Sequence, residues 1–154
     1  MATKTETAKS ASIPALVLTR RFKAPREAVF RAWTRPEELA QWFGPKNISV
    51  RDVEIDLRPG GRYSLEMYEP DGVYPLSGVY REVKAPERLV FTWVWGHGEI
   101  AGVEMLVTLD FAESKDGGTL LTLTHERLPS QSARDRHEQG WTSTFDCLTE
   151  HLAR

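Results

Sequence analysis

The sequence predicts an α+β domain in which a curved antiparallel sheet of about six to seven strands wraps around a long C-terminal helix. Short apolar segments alternate with polar positions from Val53 to His125, and turn signals such as Pro59-Gly60-Gly61 separate them. The last segment has a helical period instead, because Trp141 and Phe145 fall on one stripe. A sheet with one apolar face and a helix with one apolar stripe are expected to pack together.

The first elements are a strand over Ala15 to Phe22 and two short helices within residues 25–43. Pro36 suits the first turn of the second helix. Thr34 and Glu37 have the spacing of a capping box. A strand, two helices, roughly six strands and one long helix are therefore expected in this order.

The segment Leu89 to Trp95 reads LVFTWVW and predicts a strand with three large rings on one face. Side chains alternate between the faces of a strand, so Phe91, Trp93 and Trp95 share a side. By the same alternation, Val53, Ile55 and Leu57 form one apolar face, and Glu82 shares the inward side of Tyr80.

The final helix is predicted over Gln131 to Leu152, with Ser130 or Ser132 as its N-cap. Twenty-two residues make a helix of about 33 Å, long enough to cross a sheet. Gly140 lies inside this helix, where glycine costs about 1 kcal/mol relative to alanine. The glycine indicates either tight packing on a strand or close approach of a ligand.

Length, charge and cysteine content restrict the class of protein. The 154 residues carry a net charge of −2, which argues against a nucleic-acid partner. The single cysteine favours a reducing compartment, and neither a signal peptide nor a membrane span is apparent. We expect a cytoplasmic protein with a disordered tail over residues 1–14 and a single domain over residues 15–154.

A family resemblance rests on five segments in a fixed order. They read APREAVFRAWTRPEELAQWFGP, DLRPGGRYSLEM, GVYREVKAPERLVFTW, GGTLLTLTHE and HEQGWTSTFDCLTEHL. The chain resembles bacterial single-domain proteins similar to the C-terminal domain of the heat-shock-protein-90 ATPase activator. That family lies in the helix-grip superfamily of START lipid carriers, the birch-pollen allergen and polyketide cyclases.

The resemblance implies the helix-grip fold but leaves function open. Members are described as ligand carriers, aromatase/cyclases or antibiotic-sequestering proteins, and no catalytic residue set is shared among them. The eukaryotic co-chaperone also depends on a separate N-terminal domain, which this sequence does not show, so chaperone contact has weak support.

The candidate ligand-binding residues are those expected to face the space between sheet and helix. They are Tyr63, Leu65, Met67, Tyr80, Phe91, Trp93, Trp95, Met105, Val107, Leu123, His125, His137, Trp141 and Phe145.

The two histidines of this set are candidates for proton transfer near neutral pH, although hydrogen-bonded wall histidines are the commoner outcome. His137 is followed four residues later by Trp141, so the zinc-protease spacing is missing. We expect no metal and no cofactor. The glycine-flanked segment over residues 96–102 is a candidate gate for the pocket.

The function predicted first is binding of a hydrophobic or aromatic small molecule between the sheet and the last helix. Two alternatives stay open. One is a cyclase- or hydrolase-type enzyme that uses His125 or His137, and the other is an interaction module that contacts a chaperone or regulator. A monomer and a homodimer are both compatible with the sequence.

Overall fold

The computed structural model describes residues 13–154, and in them seven antiparallel strands form one sheet. The order across the sheet is β1-β7-β6-β5-β4-β3-β2, so that β1 lies beside the last strand and the others follow the chain. The predicted fold class is therefore confirmed. The strands are β1 (Leu16–Phe22), β2 (Ser49–Ile55), β3 (Arg62–Glu69), β4 (Gly72–Lys84), β5 (Arg88–Trp95), β6 (Met105–Glu113) and β7 (Thr119–Glu126).

The start of the chain was expected to be a disordered tail over residues 1–14. Residues 1–12 of that segment lie outside the described residues. Ile13, the first described residue, packs against the hydrophobic core. No helix within residues 13–154 is long and apolar enough to cross a bilayer.

Two short helices, α1 (Arg26–Thr34) and α2 (Pro36–Trp42), follow β1 as expected. Pro36 is the first residue of α2, where the missing amide hydrogen of proline costs nothing. The predicted capping box is wrong. The N-cap of α2 is Arg35 and no side chain caps it, while the Thr34 hydroxyl donates to the carbonyl of Phe30 at 2.9 Å within α1.

The long helix α3 (Gln131–Leu152) has the predicted bounds. Ser130 caps it, since its hydroxyl oxygen accepts a hydrogen bond from the backbone N–H of Ala133 at 3.0 Å. Phe145 and Leu148 are fully buried against the inner face of the sheet, as the helical stripe predicts. The core therefore lies between α3 and the sheet.

Two residues expected to face inward, Leu57 and Glu82, face outward, and each lies near a register shift. A bulge at Asp52, whose φ is +56°, interrupts the pairing of β2 between Arg51 and Glu54, and Leu57 beyond it is 38% exposed. Val53 and Ile55 follow the bulge and still pack against the core, whereas Leu57 lies in the connection between β2 and β3, where strand alternation no longer applies. The inward prediction for Leu57 is therefore wrong. A second shift, between Tyr80 and Glu82, turns Glu82 outward, where its Oε1 accepts from Arg88 at 3.2 Å. The extra residue at this second shift reverses the alternation that follows it.

Candidate functional site

A pocket of about 430 Å³ opens between the first half of α3 and the sheet. Its walls come from the residues after α2, the β3–β4 turn, the end of β5, the segment over residues 96–102 and α3. Its volume lies in the usual range for small-molecule sites. The lining residues are Phe43, Gly44, Pro45, Met67, Glu69, Asp71, Tyr74, Trp93, Trp95, His97, Gly98, Glu99, Ile100, Arg136, His137, Gly140, Trp141 and Thr144.

Three indole rings line the pocket together. Trp93 packs edge-on against Trp95 with ring centroids 5.6 Å apart, and its centroid lies 5.0 Å from that of Trp141. The alternation of β5 brings the first two rings to one face, and the helical stripe brings the third to meet them. Aromatic surface of this kind binds apolar and aromatic groups by burial and by ring packing.

His137 is held in the wall by hydrogen bonds at both ring nitrogens. Its Nδ1 lies 2.7 Å from the carbonyl oxygen of Ala133, and its Nε2 lies 3.1 Å from the indole Nε1 of Trp95. A carbonyl only accepts and an indole N–H only donates, so Nδ1 carries the proton and Nε2 accepts. Burial lowers the pKa of His137, which keeps the ring neutral.

His125 lies one layer behind the pocket. It is fully buried, and its Nδ1 accepts a hydrogen bond from the Nε1 of Trp141 at 3.1 Å. The rings of Trp93, His137 and Trp141 all contact His125, and all three line the pocket, so they separate it from the opening. Burial, with a smaller effect from His137, lowers the pKa of His125 to about 3.

This geometry gives little support to proton transfer by either histidine. A general base needs a free lone pair within reach of the substrate. The Nε2 lone pair of His137 is occupied by Trp95, and that of His125 Nδ1 is occupied by Trp141. His137 is thus a hydrogen-bonded part of the wall, whereas His125 is a buried residue behind it whose Nε2 has no hydrogen-bond partner among residues 13–154.

The rim of the pocket is polar and mainly acidic. Glu69 is the last residue of β3, Asp71 lies in the β3–β4 turn, and Glu99 comes from the segment after β5. Arg136 of α3 lies 3.9 Å from Glu99, and both side chains are more than half exposed. The Tyr74 hydroxyl donates to Asp71 at 2.9 Å. The rim therefore combines three carboxylates with one guanidinium.

Gly140 contributes to the pocket by having no side chain. A Cβ atom built at this position would meet only the Cγ of Pro45, at an ordinary van der Waals distance of 3.9 Å. Tight packing of backbone against a strand, one of the two explanations for this glycine, is therefore absent around that Cβ. What the glycine provides is open space beside Trp141.

The structure divides the sequence-predicted site residues into three groups. Met67, Trp93, Trp95, His137 and Trp141 line the large pocket. Tyr63, Leu65, Tyr80 and Phe91 lie around a separate space of about 30 Å³, which Trp93 also borders. Met105, Val107, Leu123, His125 and Phe145 are buried in the core and line neither space.

The second group differs from expectation because its members fill the interior with one another. Tyr63 packs edge-on against Phe91 at 5.5 Å, and its hydroxyl donates to the carbonyl of Thr92 at 2.6 Å. The hydroxyl of Tyr63, a candidate ligand-binding residue, is thus used within the protein. Burial raises the pKa of the Tyr63 and Tyr80 hydroxyls. A space of this size holds about one water molecule.

The third group was expected at the pocket from inward parity alone. Strand alternation identifies the residues that face the region between sheet and helix. It does not say where along the helix that region stays open. Met105, Val107 and Leu123 have no measurable exposure, and Phe145 has 1%. A ligand in the large pocket would therefore not touch these residues.

Several wall residues were missed by the sequence analysis. Tyr74 shares the parity of Leu76 and Tyr80 on β4, so strand alternation alone would have found it. Phe43 follows the end of α2, and its ring centroid lies 6.2 Å from that of Trp93. Hydrophobic periodicity ends with the helix and does not extend into the connection after it, so the sequence carried no comparable signal for Phe43. Arg136 directly precedes His137 and lies off the apolar stripe of α3, so the helical period gave no signal for it.

Similar structures share this fold over most of the chain. A crystal structure from Nitrosomonas europaea is 32% identical, with a TM-score of 0.76, and the match covers 90% of this chain and 94% of that one. The AHSA1 protein from Silicibacter pomeroyi is 32% identical, with a TM-score of 0.78 and coverage of 91% and 98%. CalU16 from Micromonospora echinospora is 27% identical, with a TM-score of 0.68 and coverage of 90% and 75%.

No curated protein matches the sequence. The family model described as "Activator of Hsp90 ATPase homolog 1-like protein" matches residues 23–153, which include all of the lining residues of the pocket. The fold is one that commonly binds hydrophobic ligands. The match, the sheet order and the similar structures agree that the chain belongs to the family of activator of Hsp90 ATPase homolog 1-like proteins.

Proposed function

We propose that the protein binds a hydrophobic or aromatic small molecule in the pocket between α3 and the sheet. The observation that carries this proposal is the pocket of about 430 Å³ with the rings of Trp93, Trp95 and Trp141 in its wall. Trp93 and Trp141 are each 4% exposed and Trp95 is half-buried, so only part of each ring borders the hollow, and that part lacks the packing contacts that a filled core would give it. A ligand with an apolar body would restore those contacts.

Gly140 gives independent support. Alanine would fit at this position and would favour the helix by about 1 kcal/mol, yet the residue is glycine and the space beside it belongs to the pocket. The helix thus has lower intrinsic stability at the point where it borders the opening. This arrangement suits a pocket that is occupied by a ligand better than one filled by side chains.

The test is a titration with N-phenyl-1-naphthylamine, a neutral aromatic probe whose emission rises in apolar surroundings. We expect saturable binding of one probe per chain. Gly140→Leu should abolish it, because the new side chain enters the pocket, whereas Gln139→Leu should leave it unchanged. Gln139 is the neighbouring exposed residue and does not line the pocket, so it matches the added side chain without filling the space.

The outcome against the proposal is equally clear. Absence of saturable binding, or equal binding by wild-type protein and Gly140→Leu, would show that this pocket does not bind such molecules. The enzyme and chaperone-contact alternatives would then be the leading hypotheses for the function. The cytoplasmic location is a separate prediction from the sequence, and this experiment does not test it.

A further inference from the structure

The walls of the pocket favour one class of ligand by their electrostatics. The faces of aromatic rings carry negative potential, and indole is the strongest of the three aromatic side chains in attracting cations. Trp93, Trp95 and Trp141 lie within one pocket, and the ring of Tyr74 packs edge-on against Trp95 at 6.4 Å. A positively charged group next to these rings would be stabilised, and an anionic group would be repelled.

The rim adds formal negative charge next to the rings. Arg136 lies close to Glu99, which leaves Glu69 and Asp71 as the carboxylates without a basic partner among residues 13–154. Burial and the neighbouring charge of Asp71 both raise the pKa of the Glu69 carboxyl. Each cause disfavours the ionised form of Glu69. A cation bound nearby would offset both effects and would stabilise the ionised carboxylates of the rim.

Tyr74 connects the acidic rim to the aromatic wall. Its hydroxyl donates to the Asp71 carboxylate at 2.9 Å, while its ring contacts Trp95 and lies 5.0 Å from His97. The hydrogen bond fixes the carboxylate at the end of a continuous aromatic surface. A ligand along that surface would place one end among the indoles and the other near the carboxylates.

We propose that the ligand is an organic cation, with an aromatic or apolar body between Trp93, Trp95 and Trp141 and a charged nitrogen near Glu69 and Asp71. This inference rests on the proposed function, since it specifies the chemistry of the molecule in the same pocket. In this proposal the pocket selects its ligand by charge as well as by shape.

The test compares three naphthalene probes that share one ring system and differ in charge. They are 2-naphthylmethyl-trimethylammonium, neutral 2-naphthylmethanol and the anion 2-naphthylacetate, each titrated calorimetrically into the full chain. We expect the cation to bind about tenfold more tightly than the neutral alcohol, and the anion most weakly. Raising the salt concentration should weaken binding of the cation and leave binding of the alcohol nearly unchanged.

The variant Glu69→Gln with Asp71→Asn tests the carboxylates. It should reduce the preference for the cation to within about twofold while it preserves affinity for the alcohol. The matched control is Glu113→Gln with Glu150→Gln, which removes the same charge at two exposed positions outside the pocket and should keep the preference. Melting temperatures would show that both variants are folded.

The possible results separate the two proposals. Equal affinity for all three probes, or preference for the anion, would overturn the cation proposal and leave ligand binding intact. An unchanged preference in the Glu69→Gln, Asp71→Asn variant would also overturn it, because the carboxylates would not select charge. If no probe binds, both proposals fail.

Discussion

The two halves of α3 meet the sheet in different ways. The first half, with His137, Gly140 and Trp141, borders the pocket. The second half places Phe145 and Leu148 in the core, where neither side chain is more than 1% exposed and Phe145 packs edge-on against Phe22 at 6.2 Å. One amphipathic stripe thus forms both a wall of the pocket and a packed core. The difference comes from a missing side chain in the helix and from the connections that frame the opening.

The largest expected effect contrasts core and wall directly. Phe145→Ala should lower the free energy of unfolding by about 3–5 kcal/mol, because it leaves a cavity in a closed core. Trp95→Ala should cost about 2 kcal/mol or less, since the half-buried ring already borders open space. Urea unfolding measures both. Equal losses would mean that the wall is packed as tightly as the core.

Acid should destabilise the protein through His125, which lies on β7 behind the pocket and accepts a hydrogen bond from Trp141 of α3. The pKa of His125 falls from 6.5 to about 3 on folding, so between these values the unfolded chain binds a proton that the folded chain does not. Protons then favour the unfolded state, and stability decreases as the pH falls through this window. From pH 7 to pH 5 this residue should cost about 2 kcal/mol.

The control for that effect is His125→Asn, whose amide oxygen can still accept from Trp141. Urea unfolding of this variant at the two pH values should show a smaller loss than the wild type. The same loss in both proteins would place the acid sensitivity on other groups.

A smaller effect is expected at the residue that keeps the first half of α3 open. Gly140→Ala should raise the free energy of unfolding by about 1 kcal/mol, because alanine favours the helix and the built Cβ meets only Pro45 at 3.9 Å. The same variant should bind N-phenyl-1-naphthylamine more weakly. Gln139→Ala, at an exposed site, should change both quantities little, and destabilisation by Gly140→Ala would reveal packing that the geometry does not show.

The smallest change concerns one hydrogen bond in the wall. Trp95→Phe keeps an aromatic ring but removes the N–H donated to His137 Nε2 at 3.1 Å. Loss of a single hydrogen bond at a half-buried site should cost about 0.5–1 kcal/mol. The freed lone pair should also raise the pKa of His137, which a histidine titration followed by NMR would detect. An unchanged titration would mean that the hydrogen bond is not formed in solution.

The sequence predicted the elements better than it predicted the site. The periods of β5 and α3 are strong because burial on one side repeats along each element, and both elements lie where expected. The bulges at Asp52 and beyond Tyr80 were missed because one extra residue leaves no periodic signal. The pocket itself depends on Phe43 and on the rim, which come from connections whose direction only the assembled fold sets.

The tryptophans have a consequence for the optical behaviour of the protein. All five form one continuous series: the ring of Trp42 contacts Trp33 at 4.8 Å, Trp33 contacts Trp141 at 6.0 Å, and Trp141 leads through Trp93 to Trp95. Indoles at such separations exchange excitation energy, so quenching of one ring lowers the emission of its neighbours in the series. A molecule that contacts only the terminal ring at the pocket should therefore quench the emission of the whole series.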